Sequence, residues 1–210
     1  MSAVSSDSLL ALGSATLGES GAARMRARIA AVWPGARVAG PALPVVCTPG
    51  DNLGVHVALT VAAARGAVLC VSVGDSRELG YWGEVLTTGA EAAGVVGLVI
   101  DGCVRDVDAL EAHAFPVFSA GIALTGATKN RAGSVGAPAV VGDVEVHPGD
   151  WIVADRDGVC VLPAADVAAI QAAGQARADK EQVLFEALRG GATTVDLLSL
   201  DPSPVEVTPT

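Results

Sequence analysis

Two continuous apolar runs of strand length, separated by one segment of helical composition, constrain the fold of this chain more than any other feature. The runs are Ala67–Val73 and Val95–Ile100, and the segment between them is Trp82–Ala93. A strand that is apolar throughout, rather than at every second residue, is typical of a parallel sheet covered on both faces. The sequence therefore predicts a βαβ unit and an α/β fold for the chain.

The residues before this unit carry weaker patterns. Ser6–Val32 has helical composition, and the capping-box spacing of Thr16–Glu19 inside it favours two shorter helices over one. Arg37–Cys47 alternates weakly and contains two prolines, which favours an edge strand or an irregular extended segment. Asp51 or Asn52 is expected to cap a helix that runs to about residue 64.

The residues after the unit read as short elements and one long helix. We expect a short helix, a strand, a loop rich in Gly, Thr, Ser and Asn, three short β runs, and a long Ala-rich helix closed by two glycines. In the same order, these lie at Asp106–Ala112, Pro116–Ala120, Gly121–Gly136, Val140–Val146, Trp151–Ala154, Val159–Leu162 and Ala164–Leu188.

Length and composition indicate one folded domain. The chain has 210 residues, of which 51% are hydrophobic, so most of it can form a core. No internal repeat or linker is evident. We expect a single domain over residues 1–200 and a frayed tail over 201–210, which contains three prolines.

Charge and hydropathy exclude several classes of partner. The formal net charge is −10 and Lys and Arg do not cluster, so binding to nucleic acid or to an anionic membrane is not expected. The start has no basic segment followed by an apolar one, and the most apolar stretch, Val57–Val73, is interrupted by Arg65 and Gly66. We expect a cytoplasmic protein.

Common catalytic and metal-binding motifs are missing from the sequence. There is no Gly-x-Gly-x-x-Gly, Walker or Gly-x-Ser-x-Gly sequence. The three histidines lack metal-ligand spacing and are expected to be structural or solvated. The four cysteines are far apart, and they fit small buried hydrophobic residues better than disulfides or a metal site.

The informative residues follow the two predicted parallel strands. In an open α/β sheet, ligands bind beyond the carboxyl ends of such strands. A helix start near Trp82–Glu84 favours an anion, because its first N–H groups are free. After the second strand, Arg105 can bind a carboxylate and Asp106 a hard divalent cation. The alternative is a surface Arg–Asp pair in which Asp106 caps its own helix.

Several separated motifs resemble those of the RraA-like family and follow one another in the same order. This family includes the class II 4-hydroxy-4-methyl-2-oxoglutarate/4-carboxy-4-hydroxy-2-oxoadipate aldolases. The similarity extends from about residue 14 to residue 198. It implies a layered β/β/α swivelling-domain fold and a homotrimer or dimer of trimers. The matching motifs are Trp82-Gly83-Glu84, Gly97–Asp106, Phe115–Phe118, Pro148-Gly149-Asp150 and Asp155–Val159.

Aldolases of this family carry an acid, twenty residues, and then Arg-Asp. Here Glu84 stands in place of the usual Asp, and Arg105-Asp106 completes the pattern. The resemblance implies that Asp106 ligates Mg²⁺ or Mn²⁺ and that Arg105 binds the oxo and carboxylate oxygens of a keto acid. Glu84 would orient a metal-bound water that moves the proton of the pyruvate methyl group. The substrate carboxylate would be held at the helix start by the backbone amides of Gly83, Val85 and Leu86.

The activity that this resemblance implies is metal-dependent cleavage of a 4-hydroxy-2-oxo dicarboxylic acid to pyruvate, with oxaloacetate decarboxylation as a second activity. Both reactions pass through the enolate of pyruvate, which a divalent cation stabilises without a Schiff-base lysine. Lys129 and Lys180 are the only lysines, so a Schiff-base mechanism has few candidates.

The family resemblance also implies two alternative functions and one further candidate residue. Some family members are regulators of RNA processing that bind a ribonuclease, and these tend to lack the acid after the Arg. A methyltransferase would need a glycine-rich cofactor loop, which is absent. Glu181 on the terminal helix resembles a family segment that reaches a neighbouring subunit's site, although a solvated helix face is the simpler interpretation.

Overall fold

The computed structural model describes residues 4–208. Residues 1–3 and residues 209–210 lie outside this range. The first group belongs to the start of the chain, where no leader is predicted, and the second to the predicted tail. The helices are α1 Ser6–Glu19, α2 Leu53–Ala58, α3 Glu84–Ala93, α4 Val107–Ala112, α5 Val167–Arg189 and α6 Thr194–Leu197, with a 3₁₀ turn at Ala62–Ala64. The strands are β1 Ala23–Arg24, β2 Ala30–Ala31, β3 Val38–Cys47, β4 Val68–Ser72, β5 Gly80–Trp82, β6 Gly97–Val104, β7 Val117–Ile122, β8 Gly133–Val135, β9 Ala139–Val141, β10 Val144–Val146, β11 Trp151–Asp155 and β12 Gly158–Leu162.

The predicted βαβ unit is present at the centre of the sheet. Strands β4 and β6 are parallel neighbours, and α3 lies between them in the chain. Strand β6 runs to Val104, four residues beyond the predicted end at Ile100, and all eight of its residues are buried. The longer strand delivers Arg105 and Asp106 directly at its carboxyl end.

The main sheet has ten strands, and apolar side chains cover both of its faces. Its principal order is β1-β12-β11-β3-β4-β6-β7-β2, with β5 beside β6 and β8 beside β3. One buried cluster includes Leu69, Ile100 and Leu110, and a second includes Val68, Val99 and Phe118. Residues that follow one another along β4 and β6 thus enter opposite clusters, as the period of two in a strand requires.

Strand β3 is central, so the edge-strand prediction for residues 37–47 is wrong. It pairs in parallel with β4 along one side. On its other side it pairs with β11 over Val38–Pro41 and with β8 over Val45–Cys47. Pro44 lies between these two partner segments, so its missing N–H interrupts neither ladder.

The predicted division of the N-terminal helix into two is present, but it falls at Gly13 rather than at residues 16–21, and no helix follows Glu19 in this segment. Helix α1 ends at Glu19, with a kink at Gly13, which has φ 79°. The following segment forms two short strands instead, since Ala23 and Arg24 pair with β12 and β2 pairs with β7. Sheet pairing with distant residues overrides the helical composition of this segment.

Other boundaries differ by smaller amounts. Helix α2 ends at Ala58 rather than near residue 64, and Asn52 is its N-cap residue. The predicted loop 121–136 contains β8. The long C-terminal helix is present, and Gly191 beyond its end has φ 96°, as the predicted glycine termination requires.

The four cysteines are free and buried, as predicted. Burial raises the pKa of the Cys47 thiol to about 11 and that of Cys160 to about 12. Within residues 4–208, the structure contains no helix with the length and apolar character needed to cross a bilayer.

Candidate active site

A cleft of about 210 Å³ lies where β6 ends and α3 begins. Strand β5 pairs in parallel with the end of β6, and the backbone N–H of Arg105 donates to the carbonyl oxygen of Trp82 over 2.9 Å. The residues that follow these two strands are therefore adjacent. Arg105, Asp106 and the first turn of α3 line the same cleft.

The carboxylate of Asp106 binds the start of α3 rather than its own helix. Its Oδ2 accepts the backbone N–H of Glu84 over 3.1 Å, and it makes no capping hydrogen bond within α4. Asp106 has φ 58° and ψ 40°, a left-handed conformation that Asp adopts more readily than most residues. Asp106 occupies the N-cap position of α4, as the alternative predicts, but its side chain caps the start of α3 instead.

Arg105 lies beside this carboxylate. Its Nε is 3.8 Å from Asp106 Oδ2, and the two side chains are 46% and 41% exposed. An exposed pair at this distance adds little to stability. Both side chains are accessible to a ligand in the cleft.

Glycines let the two segments approach closely. A Cβ added at Gly83 would stand 2.3 Å from Asp106 Oδ2, although the backbone there is extended and suits any residue. A Cβ at Gly80 would stand 2.7 Å from the carbonyl oxygen of Ala123. Close approach, and not backbone conformation, is the reason for glycine at both positions.

The start of α3 is held in place by Trp82. Its ring stacks on Phe115 with a centroid separation of 6.0 Å, and its Nε1 donates to Thr87 Oγ1 over 2.7 Å. The first N–H groups of a helix have no intrahelical acceptor, and those of Val85 and Leu86 belong to this turn. Both residues line the cleft, so their amides are candidates for binding an anion.

Glu84 lies between cleft residues in the chain but does not line the cleft, and its carboxylate faces α4. Its Oε1 is 3.9 Å from His113 Nε2, and the Nδ1 of that histidine is 3.0 Å from Glu91 Oε2. The Glu84 side chain is 59% exposed. The structure brings its backbone to Asp106 but not its carboxylate, and its role in orienting water stays a prediction.

The cleft wall also contains polar residues that were not predicted as site residues, among them Asn52, His56 and Lys129. Asn52 Nδ2 donates to the carbonyl oxygen of Tyr81 over 2.7 Å, but its Oδ1 has no hydrogen-bond partner, and neither has His56 Nε2. Among the described residues, only one other buried side-chain polar atom, Gln171 Oε1, is in this state. Burial, together with the positive charge of Lys129, lowers the pKa of His56.

Asp51 organises the loop that carries Lys129. Its Oδ2 accepts the backbone N–H groups of Asn130 and Arg131 and the hydroxyl of Thr128, at 2.6, 3.1 and 2.8 Å. Burial opposes the ionised form of this carboxylate, but hydrogen bonds outweigh burial and lower the pKa of Asp51 to about 2.

Asp101 binds two arginines and supports the fold. This buried carboxylate accepts hydrogen bonds from Arg28 at 2.9 and 2.7 Å and from Arg77 at 2.9 Å. Burial alone would raise the pKa of Asp101, but these hydrogen bonds lower it. Asp101 therefore ties the segment before β2 to the end of β6.

Asp106 is the carboxylate in this cleft that could hold a divalent cation. Its Oδ1 accepts no hydrogen bond from residues 4–208, and no group of three or more metal-binding side chains occurs in that range. Mg²⁺ and Mn²⁺ fit this donor set, because Mg²⁺ typically keeps several waters and takes one or two carboxylates together with substrate oxygens.

Comparison with known proteins identifies the family. A family model described as RraA-like, aldolase/RraA, matches residues 7–161. The chain belongs to the RraA-like family.

Proteins with different names share sequence or structure with this chain. A protein from Halalkalibacterium halodurans named "Putative 4-hydroxy-4-methyl-2-oxoglutarate aldolase" is 35% identical over 127 residues, a match that covers 60% of each protein. An uncharacterized protein from Pseudomonas syringae pv. tomato has a TM-score of 0.78 at 30% identity over 89% of both chains. The RNA-processing inhibitor RraA from Thermus thermophilis has a TM-score of 0.61 at 29% identity, over 68% of this chain and 85% of that one. The predicted RraA-like α/β fold is confirmed.

Proposed function

We propose that this chain is a class II, divalent-metal-dependent aldolase that cleaves a 4-hydroxy-2-oxo dicarboxylic acid and releases pyruvate. One observation carries the proposal: Arg105, Asp106 and the first turn of α3 line a single cleft. The name of the relative from Halalkalibacterium halodurans supports it. Oxaloacetate decarboxylation is proposed as a second activity, because it produces the same enolate.

Arg105 and the start of α3 hold the keto-acid end of the substrate in this proposal. The guanidinium donates to the 2-oxo and carboxylate oxygens, and the amides of Val85 and Leu86 donate to the carboxylate. Arg105 and Lys129 are the basic side chains in the cleft wall besides His56. They make the site locally attractive to a dianion in a chain whose net charge is −10.

Cleavage breaks the bond between C3 and C4 and leaves its electron pair on the pyruvate fragment as an enolate. The C4 hydroxyl releases its proton to water and becomes the carbonyl group of the second product, and a proton added at C3 then gives pyruvate. Arg105 stabilises the negative charge that develops on the 2-oxo oxygen. A divalent cation held by Asp106 would supply Lewis-acid stabilisation of the same charge, worth several kcal/mol. Glu84 is proposed to orient the water that exchanges the proton at C3 after its exposed side chain rotates away from His113.

Lys129 is the one lysine of the cleft wall, so a Schiff-base route is the rival mechanism for the same reaction. Its Nζ is 3.4 Å from the carbonyl oxygen of Ala127. Borohydride treatment in the presence of pyruvate distinguishes the metal-dependent mechanism from the Schiff-base mechanism. Retention of activity is expected here, whereas covalent trapping at Lys129 would favour the rival.

The second candidate function is the binding and inhibition of a ribonuclease. The structural likeness to the RNA-processing inhibitor from Thermus thermophilis favours it. Asp106, which such regulators tend to lack, favours chemistry. A pull-down that captures a ribonuclease, combined with no turnover of any keto acid, would select the regulator.

We also propose a homotrimer or a dimer of trimers. No described residue after Gly174 is buried, so the second half of α5 and the segment beyond it lack a partner within residues 4–208. Glu181 pairs with Arg177 at 2.9 Å on this exposed helix. We propose that Glu181 reaches the cleft of a neighbouring subunit. Light scattering measures the number of subunits.

The decisive experiment is a coupled lactate dehydrogenase assay for pyruvate. The substrates are 4-hydroxy-4-methyl-2-oxoglutarate, related hydroxy-oxo acids and oxaloacetate, each with and without Mg²⁺. Metal-dependent pyruvate release that is lost in Arg105→Ala is expected. Full activity after chelation would contradict the metal requirement, and no pyruvate from any compound would contradict the aldolase.

A further inference from the structure

A histidine outside the cleft faces the carboxylate to which the proposed reaction assigns proton transfer. His113 is the C-cap residue of α4, and each of its ring nitrogens lies near one carboxylate of α3. Its Nδ1 is 3.0 Å from Glu91 Oε2, and its Nε2 is 3.9 Å from Glu84 Oε1. Neither His113 nor Glu84 lines the cleft. His113 can therefore influence the site only through Glu84.

The position of the His113 ring is fixed by the residues around it. The next residue, Ala114, has φ 52°, a left-handed conformation that alanine rarely adopts. Phe115 then lies in the core and stacks on Trp82. A strained backbone persists only where its surroundings determine it. The ring is thus held in place, with 27% of its side chain exposed against 59% for Glu84, so Glu84 is the partner with freedom to move.

The contact between His113 and Glu84 is electrostatic and weak. A carboxylate only accepts hydrogen bonds, so a ring with one carboxylate at each nitrogen is best matched when both nitrogens carry hydrogen, which is the cationic form. At 3.9 Å the pair is too far apart for a hydrogen bond. The backbone N–H of Glu84 is held separately by Asp106. Only the side chain of Glu84 must move to leave the histidine.

We infer that His113 is a positioning residue that holds the Glu84 carboxylate away from the cleft and thereby limits proton exchange at C3. This inference rests on the proposed function. The Glu84 side chain has two positions, one against His113 and one in the cleft. A contact made in only one of two states shifts the population toward that state. Loss of the imidazole therefore increases the fraction of the protein in which Glu84 reaches the substrate.

The test follows exchange of the pyruvate methyl protons in deuterated water with Mg²⁺, at about pH 6, which favours a protonated ring. His113→Asn keeps a donor near the position of Nδ1, toward Glu91, and removes Nε2. We expect kcat for exchange to rise about two- to fivefold, the range that an exposed ion pair can supply. The KM for pyruvate should change by less than about twofold, because the variant leaves Arg105 and the amides of α3 untouched.

Two controls separate positioning from a structural role. His147 forms a pair of the same kind outside the cleft wall, with its Nε2 3.6 Å from Glu145 Oε2, so His147→Asn should leave exchange unchanged. In a Glu84→Ala background, His113→Asn should have no effect on the residual exchange. A merely structural role of His113 would change the rate equally with and without the Glu84 carboxylate.

Salt provides a second measurement, which needs no variant. Raising KCl from about 0.05 M to about 0.5 M screens an exposed charge pair. The wild-type kcat for exchange should then rise toward that of His113→Asn, while the kcat of the variant stays constant.

The outcomes are distinguishable. An unchanged or lower kcat in folded His113→Asn, or equal salt effects in the wild type and the variant, overturns the inference while the aldolase proposal stands. If His113→Asn does not fold, a wild-type kcat that salt does not raise overturns the inference. No exchange with the wild-type protein overturns the proposed function and this inference with it.

Discussion

The carboxylate of Asp106 accepts the backbone N–H of Glu84 over 3.1 Å, which joins the end of β6 to the start of α3. The two residues are 22 positions apart in sequence. A carboxylate at a helix N-terminus is stabilised by the free N–H groups and the helix dipole. The same contact fixes where a cation or a keto acid could bind, so fold and proposed chemistry depend on one side chain.

Replacing Asp106 separates these two roles. Asp106→Asn keeps an oxygen that can accept the Glu84 N–H, whereas Asp106→Ala removes the acceptor and should cost about 0.5–2 kcal/mol of stability. Both variants lose the negative charge proposed to hold the metal, so both should lose nearly all pyruvate production. Chemical unfolding and the coupled assay measure the two effects. An active Asp106→Asn variant would show that the charge is not needed.

Gly83→Ala should damage the site through a steric conflict. The new Cβ would stand 2.3 Å from Asp106 Oδ2, so the carboxylate must move. We expect a loss of stability of about 1–3 kcal/mol and a fall in kcat/KM of about tenfold or more.

Gly89→Ala is the matched control, because it lies in the same helix and its Cβ would meet only the flexible end of Leu59, at 3.3 Å. That variant should keep full activity and gain up to about 1 kcal/mol. Equal kinetics for the two alanine variants would argue against the close contact at Gly83.

Glu84 is predicted to act on the proton at C3. Glu84→Ala should lower kcat by about 100-fold or more with little change in KM, since a positioned acid or base contributes about 10²–10⁴. Glu84→Asp, which restores the acid usual in the family, should retain activity. Glu91→Ala removes the other carboxylate near His113 and serves as control. A wild-type kcat in Glu84→Ala would assign its carboxylate to the solvated helix face.

Acid should destabilise the protein through Asp51. The pKa of Asp51 is about 2 in the folded protein, below its ordinary value of 3.8, so the folded state binds its proton less tightly than the unfolded state. Its stabilising contribution is fully present above about pH 4 and is lost as the pH falls towards 2. Unfolding midpoints between pH 2 and 7 should fall more steeply for the wild type than for Asp51→Asn.

The Asp51→Asn variant should also be less stable at pH 7, because an amide cannot accept as many hydrogen bonds from Thr128, Asn130 and Arg131. Asp108→Asn removes an exposed carboxylate on α4 and should follow the wild-type curve. Parallel pH curves for the wild type and Asp51→Asn would contradict the role of Asp51.

The sequence predicted the parts of the fold that depend on local pattern. The apolar runs at β4 and β6 need no information from distant residues, because burial on both faces leaves a continuous hydrophobic signal. Strand β3 was misjudged because its two prolines favour an edge, and only the exchange of partner from β11 to β8 shows how Pro44 is accommodated. The short strand at Ala23–Arg24 likewise depends on β12, which lies more than 130 residues away.

The residues of the candidate site also divide into those that the sequence predicts and those that only the fold brings together. Arg105 and Asp106 were found from their place after a strand, together with the resemblance to a family. Asn52 was predicted only as a helix cap and His56 only as a structural or solvated residue, since a polar pair four residues apart is common in helices. The signal that distinguishes them is their place in the wall of the cleft, which exists only in three dimensions.

The most direct test of the central claim is exchange of the pyruvate methyl protons in deuterated water, followed by NMR. This exchange requires the enolate of pyruvate and no other part of the substrate, so it examines Arg105, Asp106, the start of α3 and the proton transfer assigned to Glu84. We predict rapid exchange with the wild-type protein and Mg²⁺, and exchange near the uncatalysed rate after chelation or in Arg105→Ala and Asp106→Asn. Exchange at the wild-type rate in those two variants would contradict the proposed role of this cleft.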